Sequence, residues 1–172
     1  RQGSRAFINS RSQKNKLYSW PDITYLEDVS LSKRYTVKGF GFVEAQGAGK
    51  VDNDAQLFGS LEDDYLEASP SQINFDRGGL NADLLLRGFV KLYVYANQGG
   101  VDSAQLMGSE GRNVFRGLPN YVTYTDSNAS FYMYLNSFRR VLVNAGSLND
   151  IAYLYDSKGD DLYYGEGDMG YM

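Results

Sequence analysis

Three prolines, Pro21, Pro70 and Pro119, stand 49 residues apart, and the rest of the chain keeps the same step. Ala6, Ala55 and Ala104 share that spacing, and Ala152 follows one residue short of it. Two places after the alanines come Ile8, Leu57, Leu106 and Leu154; nine places after come Asn15, Asp64, Asn113 and Asp161; eleven places after come Leu17, Leu66, Phe115 and Tyr163. Later in the unit Val37, Leu86 and Leu135 correspond, as do Phe40, Phe89 and Phe138, then Val43, Leu92 and Val141, then Ala45, Val94 and Val143. A fixed period of this length means that each unit buries its apolar face against its neighbours. The units run over about 6–54, 55–103 and 104–151, with a partial unit at 152–172, in a single repeat domain spanning 1–172.

Inside a unit the apolar residues alternate with period two, as in half-buried strands: Ile73 and Phe75 match Val122 and Tyr124, and Leu92 and Val94 match Val141 and Val143. Gly- and Asx-rich breaks separate them, such as Gly99-Gly100. The best helical stretch, Ala82 to Tyr95, has a counterpart in the first unit containing Gly39, Gly41 and several β-branched or aromatic residues, which argues for strand. The fold class is therefore all-β. The expected architecture is a β-solenoid resembling a parallel β-helix, each unit making two coils of about 24 residues and the chain about seven, rising roughly 4.8 Å per coil. The alternative is an open stack of four-stranded units, sandwich-like or propeller-like.

Cysteine and histidine are both absent. That excludes thiol nucleophiles, structural zinc, histidine-ligated haem and the Ser-His-Asp arrangement. The net charge is −4 with no basic cluster longer than two residues, so neither nucleic acid nor insertion into a membrane is expected. The chain opens at Arg1 rather than Met, as a processed or excised segment would.

Asp63-Asp64 and Asp160-Asp161 occupy corresponding turns, and oxygen-rich turns suit calcium; they are the candidate metal ligands, although no cofactor is required. The competing reading is that Asx side chains cap their own turns. The residues before that Asx, Lys14, Asp63, Arg112 and Asp160, alternate in sign as a stacked charge ladder would. Trp20 beside Tyr18 and Tyr25 offers a platform for glycans, while fifteen tyrosines spread over the units suit sheet surface and subunit contacts. No catalytic residue is assigned and the chain is not expected to be an enzyme. Ser69 and Ser109 have no base to activate them, and Gly47-Ala48-Gly49-Lys50 lacks the phosphate-loop spacing. A polysaccharide-active β-helix enzyme is the weakest alternative.

The fourth unit has Gly167 where proline is expected, and its Tyr163, Tyr164, Met169, Tyr171 and Met172 are the candidate self-assembly residues. Its run Ala152-Tyr-Leu-Tyr-Asp-Ser-Lys-Gly-Asp-Asp-Leu-Tyr164 resembles the Ala-x-Leu-Tyr-Asp-Ser-x-Gly-Asp-Asp-x-Phe motif repeated in very large secreted bacterial surface proteins. Gly99 to Leu106 looks like the usual lead-in to that motif, and both are distantly similar to the Gly-Asp repeats of RTX proteins, without the strict calcium-binding nonapeptide. The resemblance implies a surface, adhesive or fibre-forming component and brings no catalytic residues. The expected function is a structural protomer of an extracellular filament, sheath or cell-surface layer, whose partner is itself through β-strand edges. The alternative is a surface adhesin or carbohydrate-binding module whose partners are glycans.

Overall fold

The period-two alternation becomes strand after strand with one buried side, and two sheets face each other across it. The computed structural model describes residues 3–10, 12, 14–48, 52–79, 81–128, 130–158, 164–166 and 169–171, and among these there is no helix. Each unit is a single strand, a three-strand meander and a second single strand. In the first unit these are β1 (Arg5–Asn9), the meander β2 (Asn15–Ser19), β3 (Ile23–Asp28) and β4 (Lys33–Lys38), and β5 (Phe42–Gln46). The second has β6 (Asn53–Phe58), the meander β7 (Asp64–Ala68), β8 (Ile73–Arg77) and β9 (Asp83–Arg87), and β10 (Lys91–Tyr95). The third has β11 (Ser103–Met107), the meander β12 (Asn113–Gly117), β13 (Tyr121–Asp126) and β14 (Phe131–Asn136), and β15 (Arg140–Asn144). The fourth opens with β16 (Ile151–Leu154) and is followed by an antiparallel ribbon of β17 (Tyr164–Glu166) and β18 (Met169–Tyr171).

One sheet has seven strands in the order β1-β5-β9-β8-β7-β11-β15, and the other nine, β16-β12-β13-β14-β10-β6-β2-β3-β4. Neighbours are parallel except around β3, β8 and β13, the middle strand of each meander. The chain winds between the sheets as a β-solenoid of about four turns.

The expected two coils per unit are corrected to one and a half. A unit crosses between sheets at β1→β2, at β4→β5 and at β5→β6, three passages where two coils need four. The meander is the reason, because it consumes three strands without leaving its sheet. With an odd number of passages, consecutive units exchange sheets: the first and third meanders lie in the nine-stranded sheet and the second in the seven-stranded one. The path also steps forward and fills back. β7 is laid three places beyond β5, and β8 and β9 then occupy the gap.

The core follows the repeat. The unit alanines inside the sheets sit between bulkier neighbours in their ladders, Leu17–Ala55–Leu92 in one sheet and Leu66–Ala104–Val141 in the other, so large and small side chains interleave. Leu17, Leu57, Leu66, Leu86, Leu92, Val94 and Leu106 are fully buried. Phe89 is buried, whereas its equivalents Phe40 and Phe138 near the two ends are only partly covered. Each proline opens the meander's first turn, where its fixed φ fits and no ladder N–H is needed. The residue before it donates its N–H across the turn: Trp20 to the Ile23 carbonyl at 2.8 Å, Ser69 to Gln72 at 2.8 Å and Leu118 to Tyr121 at 2.9 Å.

The turn that leaves each meander needs a left-handed residue, supplied by Gly39 (φ 77°), Gly88 (φ 72°) and, in the third unit, Ser137 (φ 66°). Ser137→Gly is therefore expected to stabilise the protein by about 0.5–1 kcal/mol, and Gly88→Ala to destabilise it by about 1 kcal/mol or more. Urea unfolding followed by far-ultraviolet circular dichroism measures both, and a Ser137→Gly midpoint at or below that of the parent protein refutes the assignment.

Candidate functional site

Where one unit meets the next, the first strand of each meander would begin with an unpaired buried amide, and an Asx side chain from the following unit caps it. Asn53 Oδ1 accepts from the Asn15 N–H at 3.0 Å, Asp102 Oδ1 from the Asp64 N–H at 2.8 Å, and Asp150 Oδ1 from the Asn113 N–H at 2.8 Å. Asp63 and Asp64, candidate calcium ligands, belong to the middle junction. Asp63 Oδ1 accepts from Val101 N–H at 2.7 Å, and the two Asp64 oxygens accept from the Ser60 N–H and Oγ–H at 2.8 and 2.7 Å. Their acceptors thus already serve the chain's own donors. Asp160 and Asp161 lie outside the described residues, as do Tyr163 and Met172; Tyr164, Met169 and Tyr171 fall in the β17–β18 ribbon, with Tyr164 opposite Tyr171. Among the described residues no cluster of three or more acidic side chains is arranged to hold a metal ion.

The middle junction places two acids together. Burial is the main force on the Asp102 carboxyl, and the nearby Asp64 and Asp63 add to it; together they push its pKa to about 6, although the bond from the Asp64 N–H pulls the other way. At the next junction Asp150 is instead held below the usual carboxylate range. Its burial is outweighed by hydrogen bonds from the Asn113 N–H and side chain and from the Ser147 and Gly146 N–H groups.

The outer face of the nine-stranded sheet is the most distinctive surface of the molecule. Two rows across it follow strand register, and a third follows ring contacts. The first reads Arg34–Glu27–Lys16–Asp54–Lys91, alternating in sign, with Arg34 and Glu27 ion-paired. The second reads Tyr25–Tyr18–Gln56–Tyr93–Tyr134. The third is an aromatic line: Trp20 stacks on Phe58 with centroids 4.6 Å apart and planes 4° from parallel, Phe58 on Tyr95 at 5.4 Å, then Tyr95 meets Tyr134 at 6.1 Å and Tyr134 stacks on Tyr121 at 5.2 Å. Tyr18, Trp20 and Tyr25 close into one cluster with centroids 4.9–6.3 Å apart. Burial raises the hydroxyl pKa of Tyr25, Tyr95 and Tyr132.

The expected charge ladder is corrected. Lys14, Asp63 and Arg112 do not form one stacked ladder, because Lys14 and Arg112 precede strands of the nine-stranded sheet while Asp63 precedes a strand of the other. The tyrosines do occur in every unit, but equivalence does not tell which of them share a face. The meanders of units one and three and the single strands of unit two deliver theirs to the same outer face, so Phe58, Tyr95, Tyr134 and Tyr121 join Trp20. The signal that would have found them is the exchange of sheets between units.

At the Trp20 end the aromatic line opens into a cleft of about 700 Å³ walled by Trp20, Phe58 and Leu61, with Glu62, Asn81 and Gln98 at its rim. At the opposite end a smaller cleft of about 300 Å³ lies beside Tyr121 under the equivalent proline turn. No family model matches the chain, and no curated protein or solved structure is significantly similar to it.

A carboxyl whose folded pKa lies above its unfolded value loses stabilisation as pH rises between the two. Asp102→Asn keeps the cap, as Asn53 does in the preceding junction, and removes the titration. The variant is expected to be more stable than the parent by about 1–2 kcal/mol at pH 7, with the difference vanishing as pH falls through 6 towards 4. Denaturant unfolding of both proteins across that range is the check; a constant or inverted difference contradicts the reading.

Proposed function

We propose that this chain is a non-catalytic structural module of an extracellular filament, sheath or cell-surface layer, extended by stacking layer on layer along the solenoid axis. The observation that carries the reading is the pair of open ends. Among the described residues β1 and β4 end the two sheets on one side, and β15 and β16 end them on the other. Each end leaves core side chains only partly covered, Val37 and Phe40 at the first, Phe138, Val141 and Val143 at the second. A further layer buries them and pairs the free backbone groups, whether it is another unit of one chain or a second copy.

Charge gives the stacking a direction. Residues 1–50 hold nine cationic and four anionic side chains, and residues 139–172 hold three and six. The edge strand β4 carries Lys33, Arg34 and Lys38, so two such edges repel each other. Head-to-tail contact, the geometry that propagates rather than closes, is the favoured one.

Electron microscopy and sedimentation velocity on the purified chain test this. Fibres of uniform width are expected at low ionic strength, with shorter fibres as salt rises towards about 0.5 M, where the Debye length is only a few ångströms. The triple variant Lys33→Glu, Arg34→Glu, Lys38→Glu is expected to sediment as a monomer with an unchanged circular dichroism spectrum. Only monomers of the parent chain at high concentration and low salt would sink the proposal.

A further inference from the structure

The cleft at Trp20 and the aromatic line leading out of it have no part in end-to-end stacking, because they lie on a sheet face and not at a sheet end. Trp20 and Phe58 are nearly parallel, yet their centroids are 4.6 Å apart, and those of Phe58 and Tyr95 are 5.4 Å apart. Carbon surfaces touch at about 3.5–4 Å, so the rings are slid past one another like roof tiles and each leaves part of its face uncovered. From Trp20, just after β2, through Phe58 on β6 to Tyr95 on β10 the line advances one ring per strand along the direction in which the solenoid grows; Asn136 then stands opposite Tyr95, and the line steps aside to Tyr134 on β14 before reaching Tyr121 on β13. Its first three rings therefore form an extended apolar rib rather than a closed hydrophobic pocket.

Polar groups stand where such a rib needs them. The rim of the cleft carries Glu62, Asn81 and Gln98, while exposed Leu61 widens the apolar wall. The backbone of Glu62 is engaged with Ser60, whose Oγ accepts from the Glu62 N–H at 3.1 Å, but the Glu62 carboxylate has no partner among the described residues. Asn81 and Gln98 are uncharged amides, able to donate and accept. Glu62 is the one ionisable side chain among the described residues lining the cleft, and it is anionic, which disfavours an acidic ligand. The tyrosine hydroxyls farther along are neutral donors.

We propose that this cleft and line bind a neutral linear polysaccharide running parallel to the solenoid axis. A pyranose presents an apolar C–H face and a rim of hydroxyls, and its length per residue is close to the spacing of strands in a sheet, so successive sugars meet successive rings. The C–H faces lie on Trp20, Phe58 and Tyr95, while hydroxyls bond Glu62, Asn81 and Gln98 in the cleft and the Tyr95 and Tyr134 hydroxyls beyond it. A glycan of this kind offers hydroxyl donors to the Glu62 carboxylate and both donors and acceptors to the two amides, and brings no negative charge of its own to the cleft.

Trp20 is the only tryptophan in the chain, so its emission reports on the cleft directly. Cellohexaose, xylohexaose and mannohexaose, titrated separately, are expected to include at least one that shifts or quenches Trp20 emission saturably, with Kd between about 10 µM and 1 mM. Phe58→Ala and Glu62→Ala, measured by calorimetry with that sugar, are expected to weaken binding about tenfold or more, while Trp20→Phe stays within about threefold because the stacking surface persists. Tyr65→Ala, on the other sheet, is expected to leave affinity unchanged. The proposal is overturned if no neutral hexasaccharide is bound at about 5 mM, or if polygalacturonate binds more tightly than all three. It is equally overturned if both Phe58→Ala and Glu62→Ala keep parental affinity with native circular dichroism. Trp20 emission that changes with protein concentration alone, with no glycan response, assigns the face to a second copy and overturns it too. Sedimentation of the same samples keeps this outcome separate from that of filament assembly.

Discussion

A buried strand that starts without a neighbour for its first amide is the weak point of any two-sheet solenoid, and here a side chain from about 38 residues later removes it. An unsatisfied buried N–H costs about 1–3 kcal/mol, so each junction is worth a substantial part of a small domain's stability. The three caps use different pairs, Asn with Asn, Asp with Asp and Asn with Asp. The third residue of each cluster, at the end of the meander's middle strand, changes with them. Asp28 and Asp126 stand opposite Asn15 and Asn113, whereas Arg77 stands opposite Asp64. Where both Asx residues are acidic, the cluster gains a cation.

Arg77 is itself fully buried, and its guanidinium is spent on neutral acceptors: the carbonyls of Phe58, Ala82 and Ser19 at 2.9–3.0 Å and Ser19 Oγ at 3.1 Å. Desolvation pulls its pKa down to about 10, with Asp64 and Asp83 opposing, so it stays protonated at neutral pH. It stitches the C-terminal ends of β2 and β6 in one sheet to β8 and the loop before β9 of the other. Removing it would leave three carbonyls dry rather than one ion pair broken.

Much of this was legible in the sequence, and what was not has a single cause. A period says which residues are equivalent; it does not say which are neighbours. Ala55, Leu57 and Val94 could be placed in the core from equivalence alone, and the prolines could be placed in turns between strands. Neighbourhood depends on the number of passages between sheets per unit, and an odd number sends equivalent residues to opposite faces. Lys14 and Asp63 are equivalent and lie in different sheets, while Trp20 and Phe58 are not equivalent and stack. No propensity or spacing argument distinguishes one and a half coils from two, because both use strands of the same length and the same alternation.

The odd count also bears on what an array of such units presents. Two units, 98 residues, restore the same sheet and advance five strand positions, as from β2 to β12, which is about 24 Å. A face that carries rings on every second meander and on the single strands between them then becomes one continuous strip, while the opposite face of the stack stays mostly free of them. The stacking and the glycan contact proposed above do not compete for surface, since one would use sheet ends and the other a sheet face. They reinforce each other through geometry: a polysaccharide lying along the axis crosses from one layer to the next, and every layer added raises the effective concentration of rings along it. Sites that are individually weak then hold firmly in the array, with no contact beyond those a single module makes.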